Sequence, residues 1–423
     1  MSVPDLSPQR KYFPALQQTD ENGNPYVFFD GPGGSQVPQT VIDAVADYYT
    51  RANANTHGQY LFSHRTDAVI HDARLAMADF LNAPSPEEIV FGPTSTNLAF
   101  NISRSIGKTL QPGDEIIVTR LDHDANIAPW LALTEHGAVI KFVDIDVENC
   151  TLDMAHFDSL LSPKTKLVAV GYASNAVGTI NPVKEIAAKA HAVGALVWVD
   201  AVHFAPHGAI DVQDIDCDFL MCSAYKFFAP HMAVVWGRYN LLEALPAYKV
   251  RPAEDEPPHK FEQGTGNFEG MAGVTAAINY LADIGEQYGQ AFAEQYRAAG
   301  FSGRRLLLKQ AMAVISAYER ELFNELMNGL QRIDGVQIYG ITNPAQFDQR
   351  TPTAAFTKNG VPTAEIARIL GDHSIFVWDG HYYAIEVVKR LGLYDSGGMI
   401  RVGLTHYNTR NEIARLLDVL QKL

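Results

Sequence analysis

The chain has 423 residues, 47% of them hydrophobic and 19% charged, a balance typical of globular enzymes and long enough for two or three domains. Its formal net charge is −15, with no Lys/Arg cluster to interrupt it, which argues against nucleic acid or an anionic membrane as partner. The N-terminal stretch lacks an apolar signal core and no run reaches the roughly 20 apolar residues of a membrane span; the three cysteines, Cys150, Cys217 and Cys222, show no CxxC or metal spacing, so a cytoplasmic protein with neither disulfide framework nor metal centre is expected.

In chain order, residues 1 to about 25 are polar, and YVFFDGPGGSQVP then reads as a short strand followed by a glycine-rich turn that lacks the phosphate-loop pattern. The segment VIDAVADYYTRANAN has helical spacing, and NANTHGQYLFSHRT after it reads as a polar loop. From Asp67 to Leu81 an i, i+3, i+4 apolar stripe predicts a helix packed on a sheet. EEIVFGPTSTNLAFNISRSIG reads as strand, turn and helix. Gly92 to Thr96 precede the start of that helix, which Asn97 is expected to open, so the hydroxyls of Ser95 and Thr96 and the free N–H groups of the first turn can receive a phosphate or simply cap the helix. The strand Glu115 to Thr119 ends in a polar cluster containing His123, and the strand Leu167 to Val170 ends near Ser174 and Asn175. Ala195 to Val199 is a β-branched and aromatic run of the buried parallel type, closed by Asp200, and a further apolar run, Asp218 to Ser223, leads to Lys226. Strands alternating with helices at this rhythm imply a doubly wound, mostly parallel sheet, whose carboxyl ends bring an acid and a lysine to one ligand crevice. Cys217 and Cys222 flank the last strand and read as buried apolar side chains. Periodicity fails between Trp236 and Met271, and the chain is largely helical from Val274 to about Leu330. The remainder alternates strand and helix signals in a smaller α+β domain, closed by a capping-box helix at Thr409 to Glu412.

The run VDAVHF, then D-x-x-D-C-D-F, then S-A-Y-K resembles the pyridoxal-phosphate site of the class V aminotransferases, the group that holds cysteine desulfurases, kynureninases and isopenicillin N epimerase. The resemblance implies a fold-type I α/β protein with pyridoxal 5'-phosphate as cofactor, in which Lys226 carries the cofactor aldehyde and acts as base at Cα while Asp200 keeps the pyridine nitrogen protonated. It places His123 flat over the cofactor ring, Asn175 beside the phenolic oxygen, and Ser95, Thr96, Ser223 and Tyr225 on the phosphate. In F-E-x-G-T, Thr265 fits the position that reaches a partner's phosphate, which implies a homodimer with shared sites. Arg401 matches the position that binds the substrate carboxylate, for which a guanidinium fork is suited.

The pattern breaks in three places, one of them Tyr225, which precedes the lysine where desulfurases commonly have histidine. Desulfurases carry a nucleophilic cysteine shortly before the arginine; here the matching stretch is Asp379-Gly380-His381-Tyr382-Tyr383-Ala384, with Tyr383 in the cysteine's place. A phenol, with its ordinary pKa of about 10, cannot hold a persulfide. His203 stands where desulfurases have glutamine, as a cofactor-binding wall or a proton carrier. His381 and Tyr383 are expected to touch substrate. The expected domains are an N-terminal segment, 1–25, packed on the small domain, a large cofactor-binding domain, 26–290, and a connecting helix with the small C-terminal domain, 291–423. The expected activity is that of a cofactor-dependent enzyme acting on a small amino acid through a Cα carbanion. A lyase of the C–S or β-elimination type, or an epimerase, is expected ahead of a persulfide-forming desulfurase; the alternatives are transamination, genuine cysteine desulfuration, and a catalytically silent cofactor-binding partner protein.

Overall fold

A seven-stranded sheet forms the centre of the molecule in the computed structural model, which describes residues 3–423. Across the sheet the strands are Ile89–Gly92, Ala233–Gly237, Phe219–Ser223, Leu196–Asp200, Thr165–Gly171, Glu115–Thr119 and Val139–Val143. The last five are mutually parallel, and Ala233–Gly237 runs antiparallel to both neighbours. The apolar runs follow from burial on both faces. Val197, Val199, Leu220 and Cys222 point into one core with Met77, Val274 and Ile278, whereas Trp198, Phe219 and Met221 point into another with Ile102, Ile106 and Trp130. A strand whose alternate side chains both meet helices has no face left for polar residues, so polar side chains collect past the strand ends.

A second sheet is antiparallel, in the order Val336–Tyr339, Thr353–Lys358, Met399–Gly403, Trp378–Gly380. In it Arg401 pairs in register with Ala355 on one side and Trp378 on the other. The closing helix Arg410–Gln421 has the expected capping box between Thr409 and Glu412. The long helix Gly303–Leu330 packs on Phe268–Tyr288, and a Cβ at Gly285 would overlap the Leu307 carbonyl, so glycine sets that close approach. Upstream, Val27–Phe28 pairs with Ile375–Phe376, and Arg10 bridges to Glu412 at 2.8 Å and donates to the Tyr407 carbonyl at 2.6 Å.

The expected loop at 53–66 is partly helical, because the helix runs Leu61–Leu81 and starts a turn and a half before the apolar stripe. Leu61 and Phe62 in that first turn are exposed, and the positions buried there, Ser63 and Thr66, are polar, so the helix leaves no amphipathic signal there. Among the described residues no helix is long and apolar enough to cross a membrane.

Candidate active site

The carboxyl ends of the parallel strands and the second sheet enclose a cavity of about 980 Å³. Of the thirteen residues singled out from the sequence, twelve line it: Ser95, Thr96, His123, Asn175, Asp200, His203, Ser223, Tyr225, Lys226, His381, Tyr383 and Arg401. The thirteenth, Thr265, lies instead along a neighbouring groove with His57 and Arg104 and does not line this cavity.

Local structure explains how these side chains arrive. Lys226 ends the 3-10 turn that follows strand Phe219–Ser223, and its Nζ donates to the Pro32 carbonyl of the glycine-rich turn. In that turn a Cβ on Gly34 would stand 3.2 Å from the Tyr225 ring, so backbone approaches the site closely. The Tyr225 ring is stacked on His231, with centroids 4.9 Å apart. The helix Ser95–Gly107 is capped by Thr94, whose hydroxyl accepts from the Asn97 N–H at 3.0 Å; the helix thus opens at Ser95, two residues before the expected Asn97. The Ser223 hydroxyl donates to that of Ser95 at 3.1 Å, joining two chain segments at one point. His123 Nδ1 accepts from the Ala125 N–H at 3.0 Å, which fixes the ring, and the ring stacks on Tyr383 at 5.5 Å. His203 Nε2 meets the hydroxyls of Thr351 at 3.0 Å and Thr353 at 3.1 Å.

The far wall belongs to the second sheet. Arg401 Nη1 donates to the Asn175 carbonyl at 2.9 Å, its guanidinium lies 4.3 Å over the Tyr382 ring, and Asn175 Nδ2 donates to the Tyr382 carbonyl at 2.9 Å. Tyr382 and Tyr383 both have left-handed backbone, φ 51° and 59°. That conformation costs an L-residue about 1–2 kcal/mol. It is held by the Tyr382 hydroxyl on the Met399 carbonyl and by the Asp124 N–H donating to the Tyr383 carbonyl at 2.7 Å.

Burial dominates the electrostatics. It lowers Lys226 to about 7, helped by the positive charge of Arg401 and opposed by Asp200 and Asp30. It raises Asp200 to about 6, with the Val202 N–H and Lys226 pulling the other way. His123 is lowered to about 4 by burial and by Lys226 and Arg401, and His203 falls well below the usual histidine range for the same reasons plus His207. Arg401 is lowered by burial to about 10.

Sequence reasoning missed three residues that matter here. Asp122, beside His123, accepts from the Thr119 hydroxyl at 2.9 Å and from the Gly171 N–H, and burial raises it to about 7. Asp30 has a buried oxygen without partner and is raised by burial to about 6, facing the charges of Arg401 and Lys226. His231 backs Tyr225. A lone acid behind an apolar run was the only available signal for the two aspartates, and it does not separate a site acid from a helix cap.

The residues present fit a phosphorylated pyridine aldehyde. There is an amine near neutrality opposite a buried carboxylate, a hydroxyl pair at a 13-residue helix start, and a buried Asn175 Oδ1 without a partner in the protein. The family model for aminotransferase class V matches residues 27–303 and 299–416. The chain is 36% identical to a probable cysteine desulfurase of Synechocystis sp., covering all of this chain and 96% of that one, and 32% identical to a cysteine desulfurase of Serratia proteamaculans, covering 100% and 99%. Among solved structures it resembles the apo cysteine desulfurase of Thermococcus onnurineus NA1, with TM-score 0.85 and 28% identity over 100% of this chain and 98% of that one. A cysteine desulfurase of Escherichia coli gives TM-score 0.82 and 26% identity at the same coverage. The chain belongs to the class V aminotransferase family. It has the fold-type I architecture and is an enzyme that uses pyridoxal 5'-phosphate.

These likenesses overturn the expectation of a lyase or epimerase distinct from the desulfurases, since relatives matching over the full length are named cysteine desulfurases. The physical flaw in that expectation lies in what a loop cysteine does. It accepts sulfur, whereas labilising the substrate falls to the lysine, the aspartate and the cofactor, so Tyr383 bears on the acceptor and leaves C–S cleavage open.

Proposed function

We propose that this enzyme is a cysteine desulfurase, removing sulfur from a cysteine substrate to leave alanine, and that it works as a homodimer with shared sites. The observation that carries the reading is the convergence of Lys226, Asp200, His123 and Arg401 on one cavity, in a chain whose full-length relatives bear that name. Bound pyridoxal phosphate supplies an electron sink for an amino acid attached to it.

The chain's own residues supply the rest. Arg401 receives the substrate carboxylate on the side of its fork that Asn175 leaves free, and the strand pairing of Met399–Gly403 keeps it in place. Lys226 Nζ, near 7, is unprotonated often enough at neutral pH to take the proton from Cα and later return it. Asp200 holds the proton of the ring nitrogen by facing it with a buried carboxylate. His123, neutral because its pKa is about 4, adds a flat wall that excludes water without adding charge. Ser95, Thr96, Ser223 and Tyr225 take the phosphate, together with the partner subunit's Thr265. Support for the dimer comes from the large apolar and aromatic side chains Ile42, Tyr49, Tyr60 and Leu61, which the single chain leaves exposed.

The test is product analysis: holoenzyme, cysteine and an added thiol should yield alanine. Pyruvate and sulfide in equal amounts, without alanine, would instead mean simple elimination and refute the reading.

A further inference from the structure

Resting on the desulfurase reading, we propose that the sulfur acceptor is a thiol from outside the chain, which enters over the rim formed by Trp378, His381 and Tyr383. A desulfurase needs a thiolate beside the substrate sulfur, and this chain has three candidates. Cys150, Cys217 and Cys222 are each 0% exposed, and none lines the cavity. Cys222 sits on strand Phe219–Ser223 but points into the hydrophobic core, away from the ligand. Cys150 Sγ faces the Val147 carbonyl at 4.0 Å, and its backbone carbonyl is tied to the Thr179 hydroxyl at 2.8 Å. Burial also raises all three thiols, Cys150 to about 11 and the other two further, so none is a ready nucleophile.

The rim itself carries no thiol, although Tyr383 on it lines the cavity. It joins strand Trp378–Gly380 to helix Ile385–Arg390 through residues 381–384 alone. Its carbonyls at Tyr382 and Tyr383 are held by Asn175 and Asp124, and the Tyr382 hydroxyl is held by Met399. Yet it is open outward, for Tyr383 is 67% exposed and Trp378 is 52% exposed. A fixed, wet rim with no thiol of its own suits a second substrate that diffuses in.

The step balances without another oxidant. The acceptor thiolate RS⁻ attacks the substrate Sγ, forming an S–S bond; the Cβ–Sγ bond breaks and its electron pair stays on carbon. Proton uptake then completes alanine, and the acceptor leaves as the persulfide, so that RSH and cysteine give RSSH and alanine. The carbon is reduced and the sulfur pair oxidised by the same two electrons. A small thiol and an exposed cysteine of another protein offer the same chemistry.

Because cysteine is itself a thiol, the test is a single turnover with holoenzyme in excess over cysteine, followed by alanine analysis and intact mass. Little alanine is expected without addition, and one equivalent is expected with dithiothreitol, at a rate proportional to its concentration. Reduced thioredoxin in place of dithiothreitol tells the sources apart: a faster reaction at equal thiol concentration assigns a protein acceptor, an equal or slower one a small thiol. Tyr383→Cys should form alanine with no addition and keep the sulfur at position 383; a variant still dependent on added thiol would overturn entry over this rim. Prompt alanine from the unaltered enzyme, with a sulfur gained on a peptide holding Cys150, Cys217 or Cys222, would overturn the proposal while leaving the desulfurase reading intact. Absence of alanine under every thiol, with pyruvate formed, would overturn both.

Discussion

Replacing Arg401 by lysine tests the substrate's orientation most directly. Arg401 is 4% exposed, and within the protein its guanidinium has one hydrogen bond, from Nη1 to the Asn175 carbonyl at 2.9 Å, while its buried Nε has no partner. Lysine preserves the charge but presents a point donor, so a bidentate carboxylate contact becomes a single one. Loss of one charge-assisted hydrogen bond costs about 1.5–3 kcal/mol. At about 1.4 kcal/mol per tenfold, kcat/KM for cysteine should fall by roughly 10- to 150-fold. The loss should appear mainly in KM, because the carboxylate is bound equally before and during reaction. Cysteamine, which has the amine and thiol but no carboxylate, serves as the control and should be handled alike by both forms. An unchanged KM for cysteine would refute the assignment. Equal losses for cysteine and cysteamine would place the role of Arg401 in supporting Asn175 and Tyr382.

Three further outcomes are expected. Capture of pyridoxal phosphate by the apoprotein needs unprotonated Lys226, so its rate should rise with pH and level off above a midpoint of about 7; a midpoint near the ordinary lysine value of 10.5 would contradict the buried amine. Mixing the inactive variants Lys226→Ala and Thr265→Ala, with subunit exchange, should give more activity than the two kept apart, because one site of each mixed dimer keeps both residues; no gain after verified exchange would argue against shared sites. His406 Nε2 is hydrogen-bonded with the Tyr280 hydroxyl at 2.7 Å and is lowered by burial, with His207 adding to it, from 6.5 to about 3. The unfolded chain therefore binds this proton first, and stability that is full above pH 6.5 is lost as pH falls towards 3. Denaturant titrations of the apoprotein at pH 7 and pH 5 should show His406→Gln losing about 2 kcal/mol less than the unaltered chain over that interval. Equal losses in the two proteins would show that His406 does not carry that pH dependence.

Much of the cofactor site is written locally. Parallel strands buried on both faces must be apolar along their length, so Asp200, Lys226, His123 and Asn175 stand out where the apolar runs stop. The order of those strand ends, read with the family motif, is enough to identify the cofactor. The helix at Leu61–Leu81 escaped in part because its first turn exposes apolar residues and buries the polar Ser63, which leaves no periodicity to read.

What the sequence could not determine is set by contacts between segments far apart in the chain. Lys226 meets Pro32 across 194 positions, and Arg401 meets Asn175 across 226. Asp30 is raised by burial that only the fold creates, and it faces the charges of Arg401 and Lys226, which come from two separate parts of the chain. Tyr383 gave a misleading signal for the same reason. Read alone it removes a nucleophile and with it an activity; in the folded chain it is an exposed side chain on a tethered rim, stacked on His123. Composition and periodicity report what each segment buries, and so they fix the strands, the cofactor lysine and its acid. Which residues share the cavity, and which thiols are shut out of it, depends on how the two sheets close on one another, and that was decided only by the tertiary structure.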